Sequence, residues 1–308
     1  MQKGPLQGIF PPLTTPFDES GRLDLDALAT NVAKYNQTSL AGYVPLGSNG
    51  EAVHLAASER YSVVKTVKAA AGPGKTIIGG VNELSARAAI EATKQVFDAG
   101  ADFALVITPY FYKGSMSQQA LTAFYVEVAG KAPGPILIYN IPQNTGVTIE
   151  PATIAALAAH ENIVGVKDSA GDMGALSATL RLCPKGFSVM TGNGGILYPA
   201  VMMGASGGVL AIACLIPSLC VELYEAAYSA ASGGDGKRAR ELQEKIAPIS
   251  ALVTATLGVA GLKAALDLAG YRGGSPRAPL MSAPQVDIER IKAAIGSSEL
   301  FATANESV

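Results

Sequence analysis

A lysine stands at the end of an apolar, β-branched run, Ile163-Val164-Gly165-Val166-Lys167, and a polar turn, Asp168-Ser169, follows it. Runs of this kind read as buried strands. A cation fixed at the end of a buried strand is costly unless it is paired or neutral. A neutral amine held in such a place attacks a ketone and forms a Schiff base. Most strand-end lysines simply reach solvent, so Lys167 needs suitable companions before that chemistry carries weight.

The elements that would supply them alternate along the chain. The hydrophobic pattern predicts strands over 8–13, 42–46, 76–81, 103–107, 135–139, 163–167, 188–191 and 207–212. Helical patterns fall between and after them, over 24–37, 58–71, 85–99, 117–131, 151–159, 172–182, 196–203 and 217–231. Ser58 with Glu59, and Glu150 before Pro151, read as helix starts; Gly72 and Gly100 read as stops. Strand–helix units of about thirty residues each predict an α/β fold, a (β/α)₈ TIM barrel. A doubly wound sheet is the alternative, but no dinucleotide fingerprint follows the first strand. The barrel is expected over 1–231. Residues 232–308 form a C-terminal helical extension packed on it, with helices over 237–253, 259–268 and 286–295 and a fraying end over 297–308.

In this fold the strand C-termini face the active site. Reading those ends gives Thr14-Thr15-Pro16, Gly47-Ser48-Asn49-Gly50-Glu51, Thr108-Pro109-Tyr110-Phe111-Tyr112, Tyr139-Asn140-Ile141-Pro142, Lys167-Asp168-Ser169 and Gly192-Asn193-Gly194-Gly195. One lysine, several hydroxyls and many backbone amides converge on one mouth. That set suits a keto acid: amides and hydroxyls bind the carboxylate while the lysine takes the carbonyl. Glycine-flanked turns such as Ser48-Asn49 are ordinary in βα loops, and Tyr139 could equally be a core tyrosine with its hydroxyl satisfied by backbone.

Composition narrows the class. Among 308 residues the formal net charge is only −2 and no basic stripe is visible, so nucleic acid is not an expected partner. The three cysteines, Cys183, Cys214 and Cys220, contain no CxxC pair and suit a reducing compartment. The N-terminus lacks the apolar stretch of a secretion signal. The most apolar segment, 198–219, is interrupted by glycines, Pro199 and Pro217, which argues against a membrane helix. The expectation is a cytoplasmic protein. Gly72-Pro73-Gly74-Lys75-Thr76 ends like a phosphate loop, but Ala69 occupies the first glycine position and a strand follows. The two histidines, His54 and His160, lie far apart, and no metal-ligand set is apparent. His54, just after the Ser48 loop, is the one with a possible route to substrate.

Several motifs together resemble the dihydrodipicolinate synthase/N-acetylneuraminate lyase superfamily, barrel enzymes that form a pyruvate Schiff base. They are 11–17 (Pro-Pro-Leu-Thr-Thr-Pro-Phe), 47–51, Thr108-Pro109-Tyr110, Tyr139-Asn140-Ile141-Pro142 with Thr145-Gly146, and Gly165-Val166-Lys167-Asp168. The resemblance implies that Lys167 is the Schiff-base lysine, that Tyr139 relays protons, and that Ser48 and Asn49 bind the pyruvate carboxylate. The further substrate-binding candidates are Gly47, Thr14, Asn144, Ser169, Gly192, Tyr110, Tyr112 and Ala211. It implies no cofactor beyond the imine itself, a keto acid (pyruvate) and an aldehyde as partners, and a homotetramer built as a dimer of dimers.

The synthases usually carry two threonines at Ser48 and Asn49, an arginine at Asn144, and a proton-relay tyrosine from the neighbouring subunit at Phe111. Here the arginine and that phenol are both missing, though Tyr110 and Tyr112 flank Phe111. The 47–51 loop, 112–117, Asn144-Thr145-Gly146, Lys167-Asp168-Ser169, Gly261-Leu262-Lys263, 270–274 and Arg277-Ala278-Pro279-Leu280 are similar to 4-hydroxy-2-oxoglutarate aldolases. Glu51-Ala52-Val53-His54-Leu55 is also similar to 3-deoxy-hexulosonate aldolases. The expected function is therefore a class I, metal-independent aldolase or lyase that cleaves a 4-hydroxy-2-oxo acid to pyruvate and an aldehyde. The alternative is condensation of pyruvate with aspartate semialdehyde, that is, 4-hydroxy-tetrahydrodipicolinate synthase. A non-catalytic keto-acid-binding protein is a second alternative, but it would not need both Lys167 and Tyr139.

Overall fold

Eight parallel strands form the centre of the computed structural model, which describes residues 4–296. They are β1 (Gly8–Phe10), β2 (Gly42–Tyr43), β3 (Thr76–Val81), β4 (Phe103–Ile107), β5 (Ile136–Asn140), β6 (Ile163–Asp168), β7 (Ser188–Thr191) and β8 (Gly207–Val209). From β2 to β8 each pairs with its sequence neighbour, and β8 returns to β1 with Gly8 opposite Gly207. The remaining seam, between β1 and β2, is closed by a Pro12–Val44 bridge and by hydrogen bonds from Val44 N to Pro11 O and from Leu13 N to Val44 O, both 3.0 Å. This is the expected TIM barrel.

Several strand ends differ from the sequence expectation, for local reasons. The first strand stops at Phe10 rather than 13, because Pro11 and Pro12 have no N–H to donate and the pairing continues only through Pro11 O and Leu13 N. The second stops at Tyr43 rather than 46, and three residues later Leu46 turns into the left-handed region with φ 63°. The last stops at Val209 rather than 212, where the chain enters a 3₁₀ turn over Ala211–Cys214. Strands β5 and β6 each run one residue further than expected, to Asn140 and Asp168.

The helices are α1 (Leu25–Tyr35), α2 (Ala57–Ala70), α3 (Ala86–Asp98), α4 (Gln118–Lys131), α5 (Pro142–Thr145), α6 (Pro151–Leu157), α7 (Met173–Leu182), α8 (Leu197–Met202) and α9 (Pro217–Ala231). Ser85, Ser117 and Asp172 cap α3, α4 and α7 by accepting first-turn N–H groups. Helix α2 begins before Ser58, and Glu59 caps it by accepting from Ala56 N at 2.9 Å. The short α5 was absent from the sequence expectation. Beyond the barrel come α10 (Lys237–Ser250), α11 (Gly258–Leu268) and α12 (Gln285–Gly296). The helix expected over 237–253 ends at Ser250 and widens into a π-helical segment, Ala251–Thr256. Pro248 lies inside α10 and removes a hydrogen-bonded rung just before the widening. Gln243 ties α10 to the barrel, accepting from Tyr198 N at 2.8 Å and donating to Gly194 O at 2.9 Å. The expectation for 297–308 lies outside the described residues.

Two apolar layers hold the barrel. The outer one, between strands and helices, includes Ile136, Ile138 and Val166. The inner one fills the barrel with Phe10, Val44, Ile78, Leu105, Leu137, Tyr139, Met190 and Val209. Alternation along β5 sends Leu137 and Tyr139 inward while Ile136 and Ile138 point to the helices.

Candidate active site

That alternation puts Tyr139 inside the barrel, and the strand register brings Lys167 beside it. Tyr139 of β5 pairs with Lys167 of β6, and residues paired on neighbouring strands point to the same face. The Lys167 Nζ lies 4.1 Å from the centre of the Tyr139 ring. Both side chains are buried. The Tyr139 hydroxyl in turn lies 3.2 Å from Ser48 Oγ. An amine, a phenol and an aliphatic hydroxyl from three different strand ends thus form one chain.

These three groups line a cavity of about 570 Å³ at the C-terminal ends of the strands. Asn49, Asn144, Ser169, Gly192 and Ala211, all expected from the sequence, line it as well. Four expected residues do not. Thr14 is buried outside the lining, and Gly47 packs against Pro12, with its carbonyl accepting from Gly50 N at 3.0 Å. Tyr110 packs into both apolar layers. Tyr112 is 73% exposed and lies edge-on to Phe111, itself 71% exposed, with ring centres 5.0 Å apart. His54 also lies outside the lining and faces Glu51 Oε2 at 3.4 Å. Lys75 of the phosphate-loop look-alike donates to Thr38 O and Leu40 O, so it fastens a loop.

The lining includes residues that the strand-end reading did not reach. Gln143 of α5 adds an amide beside that of Asn193, which the strand-end reading had included. Ser250, Ala251, Thr254, Ala255 and Val259 bring the end of α10, the π-helical segment and α11 over the mouth. Within that segment Thr254 Oγ1 donates to Ser250 O at 2.6 Å. No strand end carries these residues, and only the docking of the extension brings them in.

The floor around Lys167 is firmly built. Asn140 Nδ2 donates to Asp168 Oδ2 at 3.0 Å, and Ala170 N donates to Asp168 Oδ1 at 2.8 Å. Burial pushes the Asp168 carboxyl above its ordinary value, against the pull of those two donors. Gly192 N donates to Asp168 O at 2.6 Å, and a Cβ at Gly192 would lie 1.9 Å from Ser169 Oγ. Only glycine permits that approach between the ends of β6 and β7. Gln143 Nε2 donates to Ser169 O at 2.9 Å. The buried Cys214 thiol donates to Pro12 O at 3.3 Å, and burial pushes its pKa well up, which leaves it a poor nucleophile.

The Ser48–Asn49 turn is held from several sides. Gly80 of β3 lies so close to Leu46 that a Cβ there would come within 2.0 Å of Leu46 O. Asn82 Nδ2 donates to the same carbonyl at 2.8 Å, and Thr15 Oγ1 donates to Gly50 O at 2.7 Å. Among the described residues no group of three His, Cys, Asp or Glu side chains is arranged to hold a metal ion. No helix among them is long and apolar enough to cross a membrane. Chemically, the cavity offers an amine for a carbonyl carbon, a phenol for proton transfer, and hydroxyl and amide donors for a carboxylate.

Comparison with known proteins finds relatives over most of the chain. The dihydrodipicolinate synthetase family model matches residues 5–297. A 4-hydroxy-tetrahydrodipicolinate synthase of Methanospirillum hungatei is 34% identical over 289 residues, covering 93% of this chain and 97% of that protein. An uncharacterised DapA-like lyase of Halobacterium salinarum is 34% identical over 275 residues, covering 89% of this chain and 88% of that protein. Among solved structures, the chloride-inhibited dihydrodipicolinate synthase of Acinetobacter baumannii, complexed with pyruvate, superposes with a TM-score of 0.89 at 29% identity. The match covers 94% of this chain and 98% of that one.

Proposed function

The chain belongs to the dihydrodipicolinate synthetase family of class I pyruvate aldolases and lyases, and we propose that its own reaction runs through an imine on Lys167. The observation that carries this is the register of Tyr139 with Lys167 in one cavity, with Ser48 Oγ on the phenol. The Lys167 amine attacks the C2 ketone of a 2-oxo acid. Tyr139 passes the proton that lets the carbinolamine lose water. Ser48 and Asn49 receive the carboxylate. The resulting iminium draws electrons from C3. As the C4 hydroxyl gives up its proton, the C3–C4 bond breaks to an aldehyde and an enamine. Protonation at C3 and hydrolysis then release pyruvate. The family forms its Schiff base between lysine and pyruvate without an external cofactor.

For the second half of the substrate, the geometry supports cleavage of a 4-hydroxy-2-oxo acid, either 4-hydroxy-2-oxoglutarate or a 2-keto-3-deoxy sugar acid. Asn144 lines the cavity, and Lys167 is the only cation among its described lining residues. A second carboxylate, which aspartate semialdehyde and 4-hydroxy-2-oxoglutarate both carry, finds no bidentate guanidinium there, so within this reading the lining favours the 2-keto-3-deoxy sugar acid. The competing reading, condensation of pyruvate with aspartate semialdehyde, is favoured by the relatives' names and on similarity has the stronger support. Steady-state turnover of both substrate sets on one preparation separates them. The geometry calls for higher kcat/KM in cleavage; efficient condensation with negligible cleavage would establish the synthase reading.

The rest of the expectation belongs to the same proposal. It comprises a boundary at residue 231 between the barrel and the helical extension, a cytoplasmic location and a homotetramer. Sedimentation of the purified protein tests the last.

A further inference from the structure

The two non-glycine residues with positive φ among those described are Leu46 at 63° and Glu51 at 53°. They bracket the Ser48–Asn49 turn. Left-handed backbone costs a side-chain-bearing residue energy and persists only where the surroundings hold it. At the Leu46 end the holders are Asn82 and the close approach of Gly80. At the Glu51 end the holder is an ion pair. Lys263 Nζ of α11 lies 2.6 Å from Glu51 Oε1, with both side chains essentially removed from solvent at 1% and 0% exposure. Glu51 Oε2 accepts from Arg277 N at 2.8 Å, and Lys263 Nζ donates to Ser275 O at 3.0 Å. Lys263 and Arg277 both face the Phe17 ring, at 4.5 and 4.4 Å. A buried pair of this kind adds little net stability, since apolar replacements of similar size are often as stable. What it does supply is a fixed position for the carboxylate it grips.

We infer that the Glu51–Lys263 pair is a positioning device: α11 holds the Ser48–Asn49 turn in its strained shape, ready for the substrate carboxylate. Lys263 and Glu51 are then positioning residues that act through Ser48 and Asn49, and the C-terminal extension sets keto-acid affinity. This rests on the carboxylate role proposed above for that turn. Losing the latch slackens carboxylate recognition and leaves Lys167 and Tyr139 in place. The cost therefore falls on KM, equally for every 2-oxo acid, and much less on kcat.

The test compares the full-length wild type with Glu51→Gln and with the double variant Glu51→Gln/Lys263→Met. The double variant removes both buried charges together, so neither is stranded. It should melt within a few degrees of wild type, yet KM should rise about tenfold for each 2-oxo acid, while kcat falls less than about threefold. Glu51→Gln should shift KM in the same direction by a smaller factor. Wild-type KM in the folded double variant, or a parallel loss in kcat alone, would overturn the inference. So would failure of both variants to fold, which would assign the pair to stability. Borohydride trapping of pyruvate on wild type runs alongside: no trapping there removes the site reading itself, whereas trapping with an unchanged variant KM removes only the latch.

Discussion

Lys167 and Tyr139 occupy paired positions on adjacent strands, with the amine 4.1 Å from the phenol ring centre. Their proximity is a property of the parallel ladder and needs no special loop. It also makes the two roles separable by mutation, because each side chain hangs from its own strand.

Tyr139→Phe keeps the ring against which Lys167 packs and removes only the hydroxyl that meets Ser48. Turnover should fall by roughly 10²–10⁴, the usual cost of a lost acid–base group, with the melting temperature little changed. An unchanged rate would return Tyr139 to the role of a core residue.

Asn144 lies exposed at the cavity wall, so a longer side chain can be housed there. Asn144→Arg should raise kcat/KM for condensation with aspartate semialdehyde, relative to cleavage of a 2-keto-3-deoxy sugar acid, by about tenfold or more through a charge-assisted grip on the second carboxylate, which the sugar acid lacks. Equal effects on the two reactions would mean that position 144 does not meet that end of the substrate.

Gly80→Ala would push a methyl group into Leu46 O. The expected loss is about 1–3 kcal/mol of stability, as for other overpacked sites, measured by denaturant unfolding. An unperturbed protein would show that the Leu46 turn is free to move.

Arg277 holds Glu59 with two hydrogen bonds of 2.8 Å, and this keeps the Glu59 carboxyl below its ordinary value of 4.5. A depressed acid contributes stability above its unfolded pKa and loses it as pH falls through its folded pKa. Wild type should therefore melt above Glu59→Gln at neutral pH, and the gap should narrow as pH falls below 4.5 and on through the lowered folded value. A gap independent of pH would assign the difference to packing.

Much of this was legible in the sequence because periodicity and fold rules act locally. The run from Ile163 to Lys167 announces a strand, and the barrel rule turns strand ends into a site, so Ser48, Tyr139, Lys167 and Ser169 could be named together. The prolines at Pro11 and Pro12 shortened β1 without altering where it leads. What could not be read depends on tertiary docking. Ser250 and Thr254 reach the cavity only because α10 and its π-helical continuation cross the mouth. Glu51 and Lys263 both lay in recognisable motifs, yet nothing in either one announces a partner 212 positions away. Tyr110 and Tyr112 show the opposite case: the loop after β4 carries the right residue types, but within one chain Tyr110 packs into the apolar layers and Tyr112 is exposed.

The measurement closest to the central claim is chemical. Incubating the protein with pyruvate, reducing with borohydride and mapping the product by mass spectrometry should find one reduced pyruvyl group, on Lys167. Lys167→Ala should take up none and lose turnover while keeping its fold. Lys167→Arg should do no better, because a guanidinium stays charged and is a poor nucleophile. Absence of an adduct, or an adduct on any other lysine, would contradict the account.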